Sequence, residues 1–310
     1  MIKIGLLGSD SATEKQLEIV KSIKDVEIIG IYDSDTLRIN RLQRNTKIQA
    51  VTHLNDLIGH SDALIIGSTQ LPVFHLASLA VKNSKHLFLN QPFQFRLDQI
   101  VPFMDLTSEA HVLVQPGMNE RFNPAYIKAT SLVNEIQYIE LSHTFHFESH
   151  QDRIDKISRC LAEDIDLISH LVNAGIKKTY TAPVFGNDDL PMMINIRLEF
   201  NNGVVANLDI GSRLSHKERR IIAYLSDARI HIDLLNQHLF TESHEPSLKD
   251  EPLTAKKIQT NYHDPSKEAL HHFIRSVRLQ TEPTVTLDDL LKALQTKQAI
   301  EQKFIRFRVL

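Results

Sequence analysis

The first third of the chain alternates between two hydrophobic periods. Ile2 to Leu7 is a short apolar run closed by Gly8, the pattern of a strand buried on both faces. A polar turn, Ser9-Asp10-Ser11-Ala12-Thr13, leads into a segment where Leu17, Val20 and Ile23 fall at helical spacing. Val26 to Tyr32 repeats the strand pattern and ends at Asp33. A helix near Thr36 to Arg44 and a short strand around Ala50-Val51 follow. Next come a strand at Ala63 to Gly67, a helix at Val73 to Lys82, a strand at His86 to Leu89, a helix from Leu97 and a strand at His111 to Val114. Strands alternating with helices at this spacing predict right-handed βαβ units, and hence a Rossmann-type doubly wound parallel sheet.

Beyond Arg121-Phe122-Asn123-Pro124 and one helix, the period changes. Ile136–Phe147, Ile176–Val184, Met192–Phe200, Val204–Ile210, Arg219–Leu225 and Arg229–Leu234 read as strands, with Asn201-Asn202-Gly203 a hairpin turn. A helix over Ala162 to Asn173 interrupts them, and two more, Lys267–Leu279 and Leu287–Phe304, close the chain. The polar segment from Thr241 to Pro265 carries three prolines and reads as a surface loop. The expected second domain is α+β, an open, mostly antiparallel sheet with helices on one face. The expected division is residues 1–120 and 121–310.

Composition narrows the class. The 310 residues are 42% hydrophobic and 24% charged, with a formal net charge of -3. That balance gives no general attraction to nucleic acid or anionic membrane. No apolar run reaches membrane-span length, and the opening residues are not expected to form a signal peptide. The one cysteine, Cys160, excludes an internal disulfide framework and a cysteine zinc site. A reducing cytoplasm is the expected compartment.

Several strings together resemble one family. Ser61-Asp62-Ala63-Leu64-Ile65-Ile66, Pro72-Val73-Phe74-His75-Leu76-Ala77 and Lys85-His86-Leu87-Phe88-Leu89-Asn90-Gln91-Pro92 stand in the order of the stretch that ends in the Glu-Lys-Pro motif of the glucose-fructose oxidoreductase / inositol dehydrogenase / MocA (Gfo/Idh/MocA) oxidoreductases. Glu120-Arg121-Phe122-Asn123-Pro124-Ala125 resembles that family's domain junction, and Asp164-Ile165-Asp166-Leu167-Ile168 its active-site helix. Asn201 to Leu208 and Glu282 to Thr286 are similar to its later hairpin and closing helix. The resemblance spans nearly the whole chain. It implies hydride transfer between NAD(P) and a sugar or nucleotide-sugar-like alcohol, and assembly into dimers or tetramers.

The chemical positions depart from that pattern. A dinucleotide-binding Gly-x-Gly-x-x-Gly loop needs its glycines for a tight turn, close approach of the pyrophosphate and helix packing. Here Gly8-Ser9-Asp10-Ser11-Ala12-Thr13 keeps only the first. A carboxylate at Asp10 about 5 Å from a phosphate, at an effective dielectric near 20, costs roughly 3 kcal/mol, which is about two orders of magnitude in affinity. Asp10 or Ser11 also reads as the helix cap, using the donors that a phosphate would use. Asp33 is placed either to bond the ribose of NAD or to cap the next helix. Gly8, Asp10, Ser11, Asp33, Ser68 and Asn90 are the candidate cofactor contacts.

The resemblance places Gln91 where the family has lysine, and Glu163 where a histidine usually precedes the Asp-x-Asp pair. Gln91 can bond a hydroxyl but cannot relay a proton. Glu163, Asp166 and His170 share a helix stripe opposite Ile165, Ile168 and Val172. With Gln91 they are the catalytic candidates, a carboxylate being able to take a proton from an alcohol. The first reading of three acids in the first turn of a helix is that they serve its dipole and face solvent.

No metal site is expected. His143 and His146 lie on a predicted strand and diverge, and His271 and His272 diverge on a helix. Arg213, Lys217, Arg219 and Arg220 read first as a solvated basic face, and behind that as a contact for a phosphate-bearing ligand or another subunit. Two functions follow as expectations. One is a divergent NAD(P)-dependent sugar oxidoreductase. The other is a catalytically silent ligand-binding or regulatory homologue that has lost its cofactor.

Overall fold

The computed structural model describes residues 1–68, 70–147, 149–186, 188, 190–212, 217–243 and 254–307. The chain forms two compact units, Met1–Asn119 with Asp264–Leu291, and Glu120–His263 with Lys292–Leu310.

In the first unit β1 (Ile2–Leu7), α1 (Ser11–Lys21), β2 (Val26–Tyr32), α2 (Thr36–Thr46), α3 (Leu54–His60), β3 (Ala63–Ile66), α4 (Val73–Lys82), β4 (His86–Leu89), α5 (Leu97–Glu109) and β5 (Val114–Pro116) follow one another. The strands make one parallel sheet in the order β2-β1-β3-β4-β5. This is the doubly wound sheet the alternation predicts. Ile4, Leu6 and Leu7 are fully buried, as a strand covered on both faces requires. Helix α3 was not anticipated. Ala50 makes only an isolated bridge to Ile31.

The second unit contains α6 (Pro124–Thr130), β6 (Tyr138–Thr144), α7 (His150–Val172), β7 (Ile176–Phe185), β8 (Pro191–Phe200), β9 (Val205–Gly211), β10 (Glu218–Tyr224), β11 (Ala228–Asp233), β12 (His238–Ser243) and β13 (Thr254–Ile258). Its sheet runs β13-β12-β11-β10-β6-β9-β8-β7. Only β6 and β9 pair in parallel; the other neighbours are antiparallel. The hairpin at Asn201-Asn202-Gly203 forms, with Gly203 at φ 89° and the Asn202 side chain accepting from the Val204 amide.

Two expectations need correction. The segment expected to be a loop carries the end of β12 and all of β13, an edge strand whose Lys256 and Lys257 hide the hydrophobic alternation; residues 244–253 lie outside the described set. The larger correction concerns α7. It begins at His150, capped by Ser149 accepting from the Asp152 amide, and ends at left-handed Asn173. Glu163, Asp164 and Asp166 are therefore in the body of a 23-residue helix, not in a first turn. Asp164 and Asp166 are 0% and 4% exposed, so neither faces solvent.

Helix α8 (Pro265–Leu279) returns to the first unit. Phe273 packs on Phe88 at 5.7 Å between ring centroids, and the Gln115 amide donates to the Ala269 carbonyl at 2.9 Å. Helix α9 (Leu287–Phe307) starts in the first unit and ends in the second. Among the described residues, no helix is long and apolar enough to cross a membrane.

Candidate functional site

The carboxyl ends of β1 to β4 carry the candidate cofactor contacts, and their polar side chains bond one another. Gly8, at φ +111°, starts the turn; a Cβ there would lie 2.4 Å from the Ser68 Cβ, so only glycine fits. Asp10 caps α1. Its Oδ1 accepts from the Thr13 amide at 3.0 Å and the Thr13 hydroxyl at 3.1 Å. Its Oδ2 accepts from the Ser68 hydroxyl at 2.7 Å. Ser11 is the exposed first residue of the helix.

Asp33 is the better sealed of the two acids, with its side chain 0% exposed. Oδ2 takes the Ser9 hydroxyl at 2.5 Å. Oδ1 takes Arg38 at 3.2 Å and the Asp35 amide at 2.9 Å. The cap of α2 is Asp35, not Asp33. Asn90 accepts from Gln16 at 2.7 Å and donates to the Gly67 carbonyl at 3.3 Å.

In this fold a dinucleotide rests its pyrophosphate on the amino end of the first helix and a ribose hydroxyl on the acid that closes the second strand. In this chain Asp10 supplies the anion at the first place. At the second, both Asp33 oxygens are engaged. As folded, a dinucleotide would have to displace Ser9 or Arg38 from Asp33 and would meet the Asp10 carboxylate in the loop.

A buried charge cluster organises the second unit. Arg219, on β10, meets Asp164 Oδ1 through Nη2 at 2.7 Å and Nε at 3.1 Å. It also reaches Glu163 and Glu120, each at 3.2 Å. His143, on β6, bonds Asp164 Oδ2 through Nδ1 at 2.7 Å. Arg121 forks onto both oxygens of Asp166, at 2.5 and 2.7 Å.

Burial pushes Asp164 upward, but His143 and Arg219 outweigh it and hold the carboxyl below the usual aspartate range. Glu163 moves the other way. Desolvation raises it above the usual glutamate range, with Arg219 opposing and Asp164 and Glu120 adding to the rise. Glu163, whose side chain is 29% exposed, is the carboxyl of this cluster where a proton can be held.

The stripe of Glu163, Asp166 and His170 does not converge on one point. Glu163 binds Arg219 and Asp166 binds Arg121, while His170 Nδ1 bonds the Tyr126 hydroxyl at 2.8 Å. Gln91 lies in the first unit, half-buried, just before a 3-10 turn at Pro92–Gln94.

The basic face is corrected. Arg219 is 6% exposed because strand alternation turns it, with Ile221 and Ala223, into the core, while Arg220 points outward to Glu218. Arg213 lies outside the described residues. His143, Asp164 and Glu120 are not among the candidate site residues read from sequence, and Arg219 enters there only within the basic cluster. An arginine on the apolar face of a strand was the signal available. No group of three or more His, Cys, Asp or Glu that could hold a metal occurs among the described residues.

Residues 2–118 match the profile of an oxidoreductase family described as having an NAD-binding Rossmann fold. The chain is 23% identical to UDP-N-acetylglucosamine 3-dehydrogenase of Acidithiobacillus ferrooxidans, over 69% of this chain and 68% of that protein. It is 21% identical to myo-inositol 2-dehydrogenase of Thermotoga maritima, over 97% of each. In three dimensions it is similar to the solved UDP-N-acetylglucosamine 3-dehydrogenase of A. ferrooxidans, with a TM-score of 0.88, 18% identity and 96% of each chain covered.

Proposed function

We propose that the chain is a divergent member of the Gfo/Idh/MocA oxidoreductase family and that its ligand is a sugar or nucleotide-sugar-like alcohol. The reaction class is hydride transfer between that alcohol and NAD(P). Two of its relatives are named for dehydrogenation of a nucleotide sugar and of an inositol, both polyhydroxylated rings.

The observation that carries the reading is Glu163. Oxidising an alcohol releases a proton from the hydroxyl as hydride leaves the carbon. Desolvation raises the Glu163 carboxyl above the usual glutamate range, and its side chain is partly exposed. Asp164 and Asp166 are committed to Arg219, His143 and Arg121. Glu163 receives the proton in oxidation and returns it in reduction.

Assaying nucleotide sugars, hexoses and inositols with millimolar NAD⁺ or NADP⁺ tests this. Slow oxidation of at least one, lost in Glu163→Gln, is expected. No turnover by wild type or by Asp10→Gly would refute it.

A second reading rests on Asp10 and Gln91: the chain binds such a ligand without turning it over. Asp10 stands in the phosphate loop, and Gln91 cannot relay a proton. A ligand that raises the melting temperature of wild type and Asp10→Gly alike, with no turnover by either, favours this reading.

A further inference from the structure

Every candidate cofactor contact with a polar side chain in a described hydrogen bond is bonded to another part of the same chain. Ser9, Asp33 and Arg38 form one set. Asp10, Thr13 and Ser68 form a second. Gln16, Asn90 and the Gly67 carbonyl form a third. The three sets are not equally hard to open, and the difference identifies one residue.

The Asp33 set opens by exchange. A ribose hydroxyl is a donor of the same kind as the Ser9 hydroxyl. Arg38 is 29% exposed and still has Asp35 at 3.1 Å to hold it when it leaves Asp33. The Gln16–Asn90 pair is neutral on both sides and already incomplete, Gln16 Oε1 being buried without a hydrogen bond.

Thr13 is no obstacle either, although it stands where the loop should have its last glycine. Its side chain is fully buried under the turn. A Cβ on Gly67 would lie 2.6 Å from the Thr13 hydroxyl and 3.0 Å from its Cα. The close approach that the loop's last glycine normally permits is here permitted by Gly67. Gly8 keeps its left-handed turn, so the path of the loop survives.

Asp10 differs in kind. It carries a formal charge, is held by the Thr13 and Ser68 hydroxyls, and already takes the Thr13 amide at the amino end of α1. It belongs to the chain and cannot leave as a displaced ligand would, and a pyrophosphate brought there meets both its charge and the loss of that amide donor.

We infer that Asp10 is a resident anion in the pyrophosphate position, so that this chain holds NAD(P) about a hundredfold more weakly than the same chain without that carboxylate. The inference goes beyond the proposed function, since it holds whether the second unit turns over a sugar or only binds one.

Titration of the full-length protein with NADH and NADPH, read by fluorescence in the absence of any sugar, tests it. Wild type is expected to bind in the millimolar range and Asp10→Gly about a hundredfold more tightly. Asn caps a helix as well as Asp, and Gly nearly so, so both variants fold. Asp10→Asn keeps the cap without the charge and should fall between them. Thr13→Gly should bind no better than wild type. The gap between wild type and Asp10→Asn should narrow as salt is raised, because salt screens charge repulsion.

Wild type that binds as tightly as Asp10→Gly overturns the inference. So does an Asp10→Gly protein that binds no better than wild type. Neither outcome depends on turnover, so failure here is distinct from failure of the sugar assay.

Discussion

Arg219 places both Nε and Nη2 on the same oxygen of Asp164, at 3.1 and 2.7 Å, leaving the other oxygen to His143. Through that one carboxylate, two strands of the second unit, β10 and β6, are tied to helix α7. Asp164 is fully buried, so the pairing is an internal one with no water to replace a lost partner.

Removing the guanidinium should therefore be costly. Arg219→Met leaves Asp164 buried without its guanidinium partner, an effect of about 3–5 kcal/mol. Urea denaturation of the variant should show that loss. Arg219→Lys should recover only part of it, since one ammonium cannot serve Glu120, Glu163 and Asp164 together.

Asp164 also predicts an acid limb of stability. Its carboxyl is held below the ordinary value of 3.8 by His143 and Arg219, against desolvation. Below 3.8 the unfolded chain takes up protons that the native chain refuses. The contribution is thus present above that pH and lost as pH falls toward the native value. Melting curves of Asp164→Asn should lack this limb, and a variant as acid-sensitive as wild type would contradict the assignment.

Glu163 predicts the opposite slope. Desolvation raises it above the ordinary 4.5. The stability its protonated form contributes is complete below 4.5 and is lost as pH rises through the native value. Carboxyl carbon NMR should place its midpoint above 4.5, and wild type should lose more stability than Glu163→Gln over that interval.

Packing beneath the loop gives a test independent of charge. Gly67→Ala would push a methyl group against Thr13, at 3.0 Å from its Cα, with a loss of about 1–3 kcal/mol. Adding Thr13→Gly should restore part of it. Thermal melts of the single and double variants measure the coupling.

Most of the first unit is legible in sequence because all but α3 of its elements are local patterns. An apolar run closed by Gly8 or Gly67, followed by a helical stripe, is enough to predict a parallel sheet. The Asp10 cap could be read for the same reason, as a capping residue bonds a backbone group three positions away. The sequence predicts only the second half of α7, because His150 to Leu161 is largely polar. The spacing of Ile154, Ile157 and Leu161 was the sign of its earlier start.

The sequence by itself determined the alternation behind the parallel sheet, the mostly antiparallel character of the second sheet, the turn at Gly8 and the carboxylate placed in the phosphate loop. Only the tertiary structure decided what the charges do. Arg219 lies 55 residues from Asp164, and Ser68 lies 58 from Asp10. Hydrophobic periodicity carries no information at that range, since it records which face a residue occupies and not what it meets there. A buried carboxylate acquires its ionisation from its partners, so Asp164 and Glu163, adjacent in the chain, shift in opposite directions.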